Sequence, residues 1–125
     1  MKYKRIFAVI AASMIFLLSS CTNEENGLNR NYTVTYNSDY GYSTTIRVFE
    51  CNEIGDKVND VSANYSKGET KSFTAQQNTV KLKVYVKSES VFGNITGYVQ
   101  RVYYLSSSPT SIVIDDNTVI GNSEP

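Results

Sequence analysis

Two cysteines, ten tyrosines and a few closely spaced acids are what this 125-residue chain offers to chemistry, and it contains no histidine. Without an imidazole the usual proton acceptor at neutral pH is missing, which excludes Ser/His/Asp and Cys/His nucleophilic systems and zinc sites that need histidine. Glu50 with Glu53, or Asp115 with Asp116, are the acids near enough in sequence to be considered for glycoside hydrolysis. That reaction needs two carboxyl groups across a cleft at roughly 5 to 10 Å, and neighbours in sequence are not a cleft. Asp115-Asp116-Asn117 has oxygens for calcium but not the longer ligand spacing of a dedicated loop, so it reads as a turn. Cys51 has no histidine to activate it and falls in a strand-like run, where it reads as a small buried hydrophobe. The chain is expected to be no enzyme and to need neither metal nor cofactor.

The tyrosines point to binding instead. Tyrosine brings apolar area with a polar tip at little entropic cost, which suits an exposed recognition surface. Tyr40 and Tyr42 flank Gly41 just after Asn37-Ser38-Asp39, in what looks like a hairpin loop, so they are the candidate contacts for a protein or glycan partner. Tyr32, Tyr36 and Tyr103 fall in strand-like text and are expected to be partly buried. Lys81, Lys83 and Lys87 form a stripe that reads as a solvated face or as protection of a sheet edge.

The elements that must hold these residues are strands. From Tyr32 onward apolar residues recur at period two, and β-branched and aromatic types dominate them. Tyr32, Val34 and Tyr36 alternate with Thr33 and Thr35; Ile46 and Val48 oppose Arg47, Phe49 and Cys51; Val80, Leu82, Val84 and Val86 oppose Lys81, Lys83, Tyr85 and Lys87. Weaker segments span 58–65 and 72–75, a loop carries Gly93 and Gly97, a strand covers 98–105, and 112–114 with 118–120 make a closing strand or hairpin. About seven short antiparallel strands with turns every ten residues predict an all-β, immunoglobulin-like or transthyretin-like sandwich, with a small β-barrel as the alternative.

Residues 1–20 have the parts of a secretory signal: basic Lys2, Lys4 and Arg5, an apolar run from Ile6 to Leu18, then small Ser19 and Ser20. The run is short for a membrane span, which needs about 20 apolar residues. Leu18-Ser19-Ser20-Cys21 resembles the bacterial lipobox, which implies cleavage before Cys21 and acylation of that cysteine. Several acyl chains at roughly 0.8 kcal/mol per buried CH₂ hold a protein firmly to a membrane. Residues 21–30 then read as a tether and 31–125 as the folded domain. Thr22 is not the aspartate that retains many lipoproteins in an inner membrane, and Glu24-Glu25 resembles the acidic surface-export signal of Bacteroidetes lipoproteins. With this anchor, a Tyr32-Thr33-Val34-Thr35-Tyr36 opening, a strand over 80–86 and a late Val102-Tyr103-Tyr104-Leu105, the layout is similar to small single-domain Bacteroidetes lipoproteins of unknown function. The anchor and Glu24-Glu25 imply an outer-membrane location at the cell surface, with the periplasmic face as the alternative.

Removal of residues 1–20 would take three of the twelve basic residues and none of the twelve acids, leaving a net negative domain that is not expected to bind nucleic acid. It would also leave Cys51 without an intramolecular disulfide partner, so apolar burial must hold the domain together. The expected function is a binding or accessory module for a protein or glycan. The alternatives are a protease inhibitor or immunity-type protein presenting Val91–Gly97, or a structural envelope protein.

Overall fold

A computed structural model describes residues 27–39, 43–90 and 93–125. Cys21 and the signal lie outside the described residues, as do Tyr40, Tyr42, Val91 and Phe92. The described chain is all-β: β1 (Asn31–Asn37), β2 (Ser43–Cys51), β3 (Lys57–Ser66), β4 (Thr70–Thr74), β5 (Lys81–Ser90), β6 (Gly93–Tyr104), β7 (Thr110–Asp115) and β8 (Ile120–Gly121). A three-stranded sheet has the order β4-β1-β7 and a five-stranded sheet the order β3-β2-β5-β6-β8, so the architecture is a sandwich of two open sheets.

The period-two pattern decides the faces. Tyr32, Val34 and Tyr36 of β1, with Ile112 and Ile114 of β7, turn inward from the smaller sheet. Ile46 and Val48 of β2, Tyr65 of β3, Leu82 and Val84 of β5 and Val99 of β6 meet them from the larger one. Each such side chain, removed from water, stabilises the fold by about 1.5–3 kcal/mol, and between them they fill the space between the sheets. On β6 the inward face is that of Val99, Tyr103 and Leu105; Arg101 is exposed and lies over the Tyr103 ring at 4.9 Å.

Direction and neighbours differ from the sequence expectation in three places. The β1–β7 pair is parallel, from Tyr32 opposite Thr110 to Asn37 opposite Asp115, because alternation specifies the inward face of a strand and is silent on its direction. β1 and β2 belong to different sheets and do not pair as the expected hairpin; the same holds for β7 and β8 on either side of Asp115-Asp116-Asn117. Gly93 and Gly97 lie within β6, paired with Ser90 and Val86, so residues 93–97 are strand and not the loop expected from their glycines. A Cβ on Gly97 would come within 2.3 Å of Ile120 Cγ2, so this glycine lets β8 lie close against β6.

The outer face of the larger sheet carries a second, smaller cluster. Phe49 of β2 and Tyr85 of β5 have ring centroids 4.1 Å apart, and Tyr85 meets Tyr98 of β6 edge-on at 4.7 Å. The β5–β6 register shifts between Lys83 and Tyr85, which oppose Val102 and Tyr98, so β6 bulges at 99–101. β5 is an interior strand, flanked by β2 and β6, so its lysines guard no edge. Lys83 is not on an open solvated face either: its side chain is 17% exposed and pairs with Glu124 at 2.9 Å. Cys51 is free and buried where the β2–β3 register shifts by the extra residue Val58 of β3, and desolvation pushes its thiol up from its ordinary value.

Candidate functional site

The parallel pairing of β1 with β7 has a local result: both strands end at the same end of the sandwich, with Asn37 beside Asp115. The β3–β4 turn joins them there, since Tyr36 N donates to Glu69 O at 3.0 Å and Gly68 N donates to Tyr36 O at 2.6 Å. Gly68 has φ +86°, a left-handed conformation that a side chain would strain, and it turns the backbone just after Lys67. Asn37, Asp39, Lys67, Asp115, Asp116 and Asn117 together line a pocket of about 340 Å³.

Hydrogen bonds set the shape of this rim. Asp115 Oδ1 accepts from Asn117 N at 2.9 Å and from Thr118 Oγ1 at 3.2 Å, and Thr118 N donates to Asp115 O at 3.1 Å, which closes the turn. Asp116 reaches across to the β1 exit, where its Oδ1 accepts from Ser38 Oγ and from Asp39 N, each at 2.8 Å. The Asp39 carboxylate pairs with the Lys67 ammonium. The backbone N–H of Asp39, then the Ser38 hydroxyl, hold the Asp116 carboxyl below the usual carboxylate range. A carboxyl kept ionised is a poor general acid, because that role calls for a raised value. The pocket therefore offers hydrogen-bond acceptors, two carboxamides and one ammonium to a polar guest.

Of the sequence candidates, Tyr40 and Tyr42 lie outside the described residues, but Asp39, which precedes Tyr40 directly, is part of the pocket rim. Asp115 and Asp116 meet at the pocket; Glu50 and Glu53 do not form a site. Glu53 is exposed in the turn after β2, whereas Glu50 is 0% exposed inside the sandwich. There its carboxylate accepts from Tyr32 OH at 2.7 Å, Gln76 N at 2.8 Å and Asn59 Nδ2 at 3.2 Å. Its place was readable: Glu50 continues the inward phase of Ile46 and Val48. Among the described residues no three His, Cys, Asp or Glu side chains converge as metal ligands.

No family model, curated protein or solved structure matches this chain. Lys67 and Asn37 are rim residues that sequence reasoning missed; only the long-range β1–β7 pairing and the Tyr36–Gly68 contact bring them to Asp115 and Asp116.

Proposed function

We propose that this chain is a non-enzymatic lipoprotein, held at Cys21 on the bacterial outer membrane and facing the surface, whose loop end binds a polar glycan. The observation that carries the proposal is the pocket lined by Asn37, Asp39, Lys67 and Asp115–Asn117, whose rim residue Asp39 directly precedes Tyr40 in the sequence. Carboxylates and carboxamides around a concavity match the hydroxyl groups of a sugar, and tyrosine rings match its apolar ring faces. The location is supported by Leu18-Ser19-Ser20-Cys21 and by Glu24-Glu25. The non-enzymatic reading is supported by the lack of histidine.

The test has two parts. Protease shaving of intact cells that express a C-terminally tagged chain should remove the tag while a periplasmic control survives, and Cys21→Ala should release the protein from the membrane fraction. An oligosaccharide panel should then give binding that Tyr40→Ala with Tyr42→Ala abolishes. Protection of the tag until the envelope is opened would overturn the surface location, and binding unchanged in the double variant would overturn the site.

A further inference from the structure

β8 is a strand of two residues lying against a strand of twelve. Ile120 pairs with Val99 and Gly121 with Tyr98, and Gln100 N adds one bond to Val119 O at 3.1 Å. Beyond Gly121 the chain folds back over the outer face of the larger sheet. Ser123 O accepts from Gln100 Nε2 at 3.1 Å, and Glu124 Oε1 accepts from both Lys83 Nζ at 2.9 Å and Tyr85 OH at 3.0 Å.

Host and guest in this contact are unequal. The Lys83 side chain is 17% exposed and Tyr85 is 8% exposed, locked between the rings of Phe49 and Tyr98. The Tyr85 donor is thus positioned by its packing against β2 and β6 as well as by the carboxylate it meets. The guest side chain, Glu124, is 50% exposed, and Val119 and Ile120 are 66% and 44% exposed. A second niche lies next to the first. Ile120 Cγ2 occupies the space that a Cβ on Gly97 would need, so the bare glycine backbone accepts a branched apolar side chain there. The two niches are filled by residues four apart, Ile120 and Glu124.

We propose that the Gly97 niche and the Lys83–Tyr85 pair form a docking site for an acidic segment of a partner protein that pairs along β6 and then bends over the sheet, in which a branched apolar residue precedes a carboxylate by four positions. Residues 120–124 of this chain occupy the site in cis. The partner strand adds to the outer edge of β6 in place of β8. Its gain over the resident segment comes from length, because Arg101–Tyr104 continue the strand past the two residues that β8 pairs. The cis segment has the advantage of effective concentration, so an unmodified chain holds the site closed against weak ligands and opens it to a strand that pairs more of β6.

The experiment uses the full chain in detergent and a fluorescent peptide with the sequence of residues 118–125. In the chain carrying Ile120→Ser and Glu124→Gln the two side-chain contacts that fill the niches are weakened, and the peptide should bind at least about tenfold more tightly than to the unaltered chain, the equivalent of one charged hydrogen bond. Adding Lys83→Met or Tyr85→Phe, or replacing the peptide's glutamate by glutamine, should reverse that gain by about tenfold. Tyr85→Phe keeps the ring packing, so it separates loss of the donor from loss of fold. Equal binding by all variants, or none by the opened chain, would overturn the proposal. A dimer of the unaltered chain that Lys83→Met dissociates would also overturn it, by giving the site to a second copy.

Discussion

Tyr32 on β1 donates its hydroxyl hydrogen to Glu50 on β2 across 2.7 Å, joining the two sheets through a buried carboxylate. Removing the hydroxyl with Tyr32→Phe leaves Glu50 with Asn59 and Gln76 as donors and should lower stability by about 1.5–3 kcal/mol. Glu50→Ala strands all three donors and should exceed that loss. Urea unfolding, read as a change in midpoint at constant slope, measures both.

Tyrosine ionisation should unfold the domain at alkaline pH. Desolvation, reinforced at Tyr32 by Glu50 and at Tyr85 by Glu124, pushes both hydroxyls far above the ordinary value, and burial pushes Tyr65 up to about 12. Each raised value favours the fold fully below the unfolded value near 10, and the contribution is lost as pH rises above it. Stability should therefore fall above roughly pH 10, by up to about 1.4 kcal/mol per pH unit for each such tyrosine. Phenolate absorbance should rise in step with the loss of β-sheet circular dichroism. Full phenolate absorbance with the sheets intact would contradict this.

The faces of β1 and β5 can be read from Tyr32-Val34-Tyr36 and Leu82-Val84, because one buried side forces strict alternation. Which strands become neighbours cannot be read that way. Ile112 and Ile114 satisfy the same pattern whether β7 runs with β1 or against it, and only the packed sandwich selects the parallel arrangement. The pocket shares this blindness: Asp39 and Asp116 are 77 positions apart and each resembles an ordinary turn residue. Glu50 was readable by phase, but its charge argued for the surface until Tyr32, Asn59 and Gln76 were in place to receive it.

Asp116 should matter to binding through the shape of the β1 exit. Asp116→Ala removes the acceptor of Ser38 Oγ and Asp39 N, so amide exchange at Asp39 should quicken and glycan binding should weaken. Because its folded-state value is depressed, its contribution is present above the unfolded value and is lost only as pH falls through the lower folded one. Binding should thus persist as pH drops to about 4, the ordinary value for an aspartate. Loss of binding at a higher pH would assign the acid sensitivity to another group.

Gly97→Val should loosen β8 without unfolding the core. The added side chain displaces Ile120, and the amide of Gln100, bonded to Val119 O, should exchange faster. Only two residues are paired in β8, so global stability should drop by no more than the roughly 1–3 kcal/mol of an overpacked site. Ile120→Ala in the same chain should restore slow exchange if the clash is the cause.

β1 also determines how the domain bears tension. The chain enters β1 directly after Arg30, and β1 is the middle strand of its sheet, bonded to β4 over Asn31–Thr35 and to β7 over Tyr32–Asn37. A tug on the preceding segment runs along the strand axis, at right angles to the β4 bonds and steeply across those of β7. Both ladders are then loaded in shear, many bonds stretching together, where an edge strand peeled from one end would yield one bond at a time. A pull on the N-terminal side is by this arrangement borne by a strand bonded along both of its edges.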